Sequence, residues 1–171
     1  MTRNALVFGL LAALAWWAAG AYGATLCPPV TSEPSPIFMQ ALRMTESGGD
    51  PDPHTARGDG GNAWGANQVS LRFATDCLRE AGIPIRWPLS YKDLVRVIVH
   101  LLDPETNDEW ARRRAALCLK ESPPPYWSLA YRCYRGRNGK DLGKYERRFA
   151  RNFRAVMQTR RGSGSSREER P

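Results

Sequence analysis

A mainly α single domain, with a Gly-rich loop or short hairpin beside an active-site cleft, is the architecture this chain predicts. Apolar residues recur at helical spacing in successive stretches between residues 36 and 158. Only Asp50 to Asn67 interrupts them, with a density of Gly, Asp, Pro and Asn that favours turns. Roughly 150 residues follow a hydrophobic leader, which suits one core rather than two.

The leader reads as an export signal. Arg3 forms a thin n-region, Ala5 to Ala19 an apolar h-region, and Ala21-Tyr22-Gly23 a small-x-small cleavage site. Cleavage there starts the mature chain near Ala24, in the periplasm or outside the cell. Retained, the same stretch is nearly long enough to anchor the protein in a membrane. Cys27, Cys77, Cys118 and Cys133 all follow the leader, and an even count in an exported chain favours two disulfides, with the pairing open.

Each element has its own local signal. Cys27 to Pro36 is rich in Pro, Ser and Thr and suits an extended lead-in. Pro36 fits a first helical position, and Ile37, Ala41 and Met44 form a buried stripe, widened by Phe38 and Leu42, until Gly48-Gly49 and Pro51 end the helix. A short hairpin is expected around Gly60-Gly61. The second helix runs from Ser70 or Leu71 to Glu80, with Leu71, Ala74 and Leu78 inward. Ser90 and Asp93 make a capping-box-like start for a third, through Leu102. Asp103-Pro104-Glu105 restarts a fourth, carrying Trp110, Ala111, Ala115 and Cys118 and closed by Pro123-Pro124-Pro125. A short fifth spans Tyr126 to Arg135. The last, Lys144 to Gln158, sets Tyr145, Phe149, Phe153 and Val156 against an arginine face, and a disordered basic tail is expected over 159–171.

The chain carries 25 Lys and Arg against 17 Asp and Glu, a net charge of +8. For an exported protein such a surface suits wall polymers or anionic headgroups before nucleic acid, although most arginines simply solvate helix faces. His54 and His100 are isolated, no Cys pair has zinc spacing, and no phosphate-cradling loop follows a strand. Metal, His-assisted nucleophile and nucleotide chemistries therefore have no motif, and no cofactor is implied.

Glu46 is the residue with a chemical signature. It stands where an apolar helix stripe meets a Gly-rich polar loop, so one side of its carboxyl is shielded and the other open. Glycosidic cleavage needs such an acid, protonated beside the leaving oxygen.

Four elements extend this reading. Glu46-Ser47 resembles the Glu-Ser catalytic motif of the soluble lytic transglycosylases of the lysozyme-like superfamily. Gly65-Ala66-Asn67-Gln68 is similar to their Gly-Leu-Met-Gln motif, and Leu102-Asp103-Pro104-Glu105-Thr106-Asn107 to their Asp-Pro-x-x-Asn element. Leu129-Ala130-Tyr131 through Tyr134-Arg135-Gly136 occupies the place of Ala-Tyr-Asn-x-Gly, with Arg135 where that family has Asn.

The resemblance implies a lysozyme-like fold over residues 24–158 that cleaves peptidoglycan between muramoyl and glucosaminyl units, with Glu46 as general acid and base and a 1,6-anhydro product. It also implies Ser47, Asn67, Gln68, Asn107 and Tyr134 as substrate contacts. Trp64 offers a further flat face for a pyranose ring. Glycan strands are the expected partner, a secretion or conjugation machine a second one, and a monomer the expected state.

Asp59 leaves an alternative open. The Asp59-Gly60-Gly61-Asn62 loop is similar in spacing to invertebrate-type lysozymes, where a second acid follows the first. With Asp59 in the cleft, Glu46 and Asp59 would act as a retaining hydrolase at about 5 to 5.5 Å separation. Aspartate in an Asp-Gly-Gly turn is more often a turn former, which favours Glu46 acting alone. A non-catalytic glycan-binding wall protein is the rival from another class.

Overall fold

The computed structural model describes residues 33–48, 50, 52–122, 124–136 and 142–165, with the backbone alone for 59, 142 and 161–165. The leader, Cys27, Pro123 and residues 166–171 lie outside the described residues. Within them the chain is mainly helical: α1 (Pro36–Glu46), α2 (Leu71–Glu80), α3 (Tyr91–Leu102), α4 (Pro104–Glu121), α5 (Trp127–Arg135) and α6 (Leu142–Ser165). No helix among the described residues is long and apolar enough to cross a membrane.

Side-chain caps fix the helix starts. Ser35 Oγ accepts from the Phe38 amide at 3.2 Å with Pro36 following at N1, and Ser70 Oγ accepts from Phe73 at 3.3 Å. Ser90 Oγ accepts from the Asp93 amide while its hydroxyl donates to the Asp93 carboxylate at 2.7 Å, so the expected capping box is formed in side-chain variation. Asp103 ends α3 and caps α4 through Thr106 N at 2.8 Å.

Between α1 and α2 lies a three-stranded antiparallel sheet of two-residue strands, β1 (Arg57–Gly58), β2 (Ala63–Trp64) and β3 (Val69–Ser70), in the order β1-β2-β3. Arg57 pairs with Trp64 and Gly58 with Ala63, across a 3₁₀ turn at Asp59–Gly61; Trp64 pairs with Val69 and Ala63 with Ser70. The expected hairpin is present, and the third strand is an addition to it. A two-residue strand has no periodicity to read, so β3 is visible only once paired.

The core gathers Phe38 and Leu42 of α1, Leu78 of α2, Val97 and Leu101 of α3, Trp110 and Ala115 of α4, and Tyr131 and Phe149, all with essentially no exposed surface. Trp127, half-buried against Phe38 and Phe153, also belongs to this core, as its sequence context suggests. Helix α6 lies along α1, where Phe149 packs on Phe38 at 5.2 Å and Asn152 Nδ2 donates to Thr45 Oγ1 at 3.0 Å.

One helix boundary needs correction. Helix α6 begins at Leu142 and continues to Ser165, two residues before and seven beyond the expected Lys144 to Gln158. Extending an existing helix adds one hydrogen bond per residue without a new nucleus, which offsets the poor propensity of the Gly-Ser run. The cysteines give one disulfide among the described residues: Cys118 and Cys133 join α4 to α5 with Cα atoms 5.5 Å apart, and Cys77 is buried in the core. Cys27, on which the expected second disulfide also depends, lies outside the described residues.

The Cys118–Cys133 link closes a loop with a sequence separation of 15. Loop-closure entropy gives such a link about 3 kcal/mol. Replacing both cysteines by serine should lower the urea midpoint correspondingly, and an unchanged midpoint would show that α5 is held by packing alone. Burial holds the His100 imidazole below the usual histidine value against the opposing charge of Asp103, with Arg96 adding to the lowering. Unfolding frees this group to bind a proton, so its contribution to stability is present above about pH 6.5 and is lost as the pH falls below it. His100→Gln should therefore flatten the fall in melting temperature between pH 7.5 and 5; an identical slope in both proteins would contradict it.

Candidate functional site

Helix α1 ends at Ser47, whose amide and hydroxyl both bond back to the Arg43 carbonyl, leaving Glu46 on the last turn. Glu46 lines a cleft of about 200 Å³. Ser47, Gly48 and Asp50 continue the wall from the helix end, Ala56, Arg57 and Gly58 supply the sheet side, Gln68 comes from the β2–β3 turn, and Arg135 and Tyr145 from α5 and α6.

The Glu46 side chain is only 1 % exposed. Tyr131 donates its hydroxyl to Glu46 Oε1 at 2.7 Å, and Arg135 Nη1 lies 3.3 Å from Oε2. Tyr131 and Arg135 are four residues apart on α5, so one helix face brings both to the acid. Tyr131 is itself fixed by a parallel stack on Phe149, 4.5 Å between centroids, and Arg135 lies over the Tyr145 ring at 4.1 Å. Burial, then the charge and hydrogen bond of Glu46, push the Tyr131 hydroxyl far above the ordinary tyrosine value, so it remains a donor.

Opposing forces act on the Glu46 carboxyl. Burial and the negative end of the α1 dipole penalise its charge, whereas Arg135 and the Tyr131 hydroxyl favour it. A second cation lies in the wall behind: Arg114 donates to Ser70 Oγ at 2.6 Å, with its guanidinium over the Phe73 and Tyr134 rings. Burial lowers the Arg114 pKa, and the charges of Tyr134 and Glu46 act against that lowering.

Gln68 sits in the left-handed region at φ +50°, which non-glycine residues seldom adopt. Its Nε2 donates to the Ala56 and Gly65 carbonyls at 3.2 and 2.9 Å, using both hydrogens. What remains is Oε1, which lies against Gly58 at the cleft wall. Gln68 therefore presents an acceptor only at the cleft, rather than the two-sided amide its chemistry allows.

Four residues expected to contact substrate lie elsewhere. Asn107 is buried, and its amide is spent on four bonds: Oδ1 accepts from the Asn67 backbone and side-chain nitrogens, and Nδ2 donates to the Trp64 and Leu101 carbonyls. Asn67 is equally buried, held also by Asp108 Oδ1 at 3.4 Å. Tyr134, 2 % exposed, donates to the Asn67 carbonyl at 2.8 Å instead of facing the cleft. Trp64 donates Nε1 to the Gly61 carbonyl, and Arg57 covers its ring. Together these groups brace the turn that carries Gln68. Gly65 allows that bracing: at φ +79°, a Cβ there would collide with the Asn107 side chain and the Leu101 carbonyl.

Asp108 extends the brace to α1. Burial pushes its carboxyl up, but hydrogen bonds and charge from Arg112 and Arg43 outweigh this and hold it below the usual range. Arg43, one turn before Glu46, meets Asp108 Oδ1 at 2.5 Å, and Arg148 of α6 donates to the Gly48 carbonyl at 2.5 Å. Of the sequence-singled residues, the structure thus brings Glu46, Ser47 and Gln68 to the cleft. Asp59 begins the 3₁₀ turn, and its side chain lies outside the described residues. Tyr131, Arg57, Asp50 and Tyr145 were not anticipated; the i, i+4 spacing of Tyr131 and Arg135 was the available signal.

Family models, curated proteins and solved structures offer no match to this chain. What the site can do therefore follows from its geometry. It presents a shielded carboxyl with a permanent hydroxyl donor on one oxygen and a cation on the other.

Tyr131→Phe keeps the ring stack and removes the donor to a buried carboxyl. A loss of about 1 to 3 kcal/mol in urea unfolding is expected. An unchanged unfolding free energy would show that the hydrogen bond contributes nothing net.

Proposed function

We propose that this chain is an exported, lysozyme-like peptidoglycan lytic transglycosylase that cleaves the bond between muramoyl and glucosaminyl units with Glu46 as general acid and base. The observation that carries the proposal is the 1 % exposed Glu46 side chain, its carboxyl gripped by Tyr131 and Arg135, in the lining of a cleft shared with Gln68. The ordered motifs around Glu46, Gln68 and Arg135 support it, as does a disulfide suited to an oxidising compartment.

In this mechanism the protonated Glu46 donates to the glycosidic oxygen as the bond to C1 of the muramoyl sugar breaks. The carbonyl oxygen of that sugar's own N-acetyl group closes on C1 and takes up the developing positive charge. Glu46, now a carboxylate, removes the proton from the C6 hydroxyl, whose oxygen attacks C1 and reopens the ring formed by the N-acetyl group. The product is a 1,6-anhydro end, no water is consumed, and Glu46 ends protonated as it began.

Each neighbour has a role in that cycle. Burial and the α1 dipole oppose a standing charge on Glu46, and Arg135 and Tyr131 steady the carboxylate formed between the two proton transfers. Tyr131 fixes the orientation of Oε1 throughout. Gln68 Oε1 accepts from a sugar hydroxyl or the N-acetyl N–H, and Ser47 lines the same wall.

Glu46→Gln should fold normally, bind wall glycan and release no soluble muropeptides from purified sacculi. Mass spectrometry of wild-type products should show anhydro ends. Reducing ends would replace this mechanism by hydrolysis with a second acid such as Asp59, and unchanged release by Glu46→Gln would refute the role of Glu46. Binding without any release by the wild type would leave the glycan-binding reading.

A further inference from the structure

Two guanidiniums line the cleft, and they differ in what they meet. Arg135 engages the Glu46 carboxylate, whereas Arg57 forms no ion pair with a carboxylate among the described residues. The contacts of Arg57 are the Trp64 ring, 5.5 Å from Cζ to centroid, and the Gly60 carbonyl at 3.4 Å from Nη2.

The hairpin holds this arginine in position. Arg57 and Trp64 are cross-strand partners, so the guanidinium lies over the indole of the neighbouring strand. The indole is anchored in turn by its Nε1 bond to the Gly61 carbonyl. Gly61 has φ +94°, and a Cβ there would fall 2.5 Å from Arg57 Nη2 and 2.6 Å from Nε, displacing the group. An arginine held in this way loses little further rotamer freedom on binding, and its planar fork matches the two oxygens of a carboxylate.

We propose that Arg57 is a specificity-determining residue that docks a carboxylate carried by the glycan, in the same cleft as Glu46. The proposal rests on the glycan-cleavage reading. Muramoyl sugars offer such a carboxylate from two sources: the lactyl group when it is bare, or the peptide stem attached to it. A neutral N-acetylglucosamine polymer offers none, so Arg57 separates wall glycan from neutral glycan, a distinction that Glu46 and Gln68 do not make.

The test compares three glycans: strands with intact stems, strands stripped by an amidase to free lactyl carboxylates, and stem-bearing strands whose carboxylates have been chemically amidated. For the wild type, KM on the glycan that carries the docked carboxylate should be about tenfold below that on the amidated strands with kcat little changed, the factor for one charge-assisted contact. Arg57→Gln should show the raised KM on all three, and Arg57→Lys should recover part of the preference. A low KM on stripped strands assigns the lactyl carboxylate, and a low KM only with stems assigns the stem. An equal wild-type KM on all three glycans, or a preference that survives in Arg57→Gln, overturns the role of Arg57 while leaving glycan cleavage intact. Dissociation constants for the same glycans, read from tryptophan fluorescence, decide the matter even without turnover. In that case the cleavage mechanism fails separately, and carboxylate-dependent binding lost in Arg57→Gln still supports Arg57, whereas equal binding to all three overturns it.

Discussion

Most of this structure is arranged around the grip of α5 on the Glu46 carboxyl. A carboxyl that is 1 % exposed loses nearly all its hydration, and an ionised group without compensation at such a site costs several kcal/mol. The unfavourable end of the α1 dipole adds about 0.3 to 1 kcal/mol. Tyr131 and Arg135 offset these terms while they stay within hydrogen-bonding reach, so the fold has to hold the position of α5 relative to α1. Three devices hold it: the Cys118–Cys133 link from α4, the Tyr131–Phe149 stack on α6, and the packing of Phe149 on Phe38 in α1. Arg43–Asp108 ties α1 to α4 independently of that stack.

The opposite wall is built by a different logic. There the backbone of one short turn is forced into an uncommon conformation at Gln68, and buried amides and a tyrosine hydroxyl hold it. Asn107 joins the end of α3, strand β2 and the turn through four bonds, which is more than a residue facing solvent and substrate would maintain. The motif residues thus divide into a pair that lines the cleft, Glu46 and Gln68, and a supporting group, Asn67, Asn107 and Tyr134.

That division marks what was legible in the sequence. Helix starts were legible because Ser35, Ser70, Ser90 and Asp103 act within three residues of themselves. The mainly helical class and the turn-rich segment beside the cleft followed from periodicity and composition. Whether Asn107 or Tyr134 faces inward depends on helices brought together from 40 or more residues away, and no local pattern carries that. Tyr131 and Tyr134 illustrate the point. They stand less than a turn apart on α5, yet one meets Glu46 and the other the Asn67 carbonyl, because different neighbours pack against the two directions.

The central claim is that residue 46 meets the bond being broken. A crystal structure of Glu46→Gln soaked with a muramoyl-glucosaminyl tetrasaccharide tests it most directly. The account predicts a glycan strand along the cleft, with one glycosidic oxygen within about 3.2 Å of the residue 46 amide and the C6 hydroxyl of the adjoining muramoyl unit on the same side. A strand bound elsewhere, or one whose glycosidic oxygens all stay beyond hydrogen-bonding reach of residue 46, would contradict it.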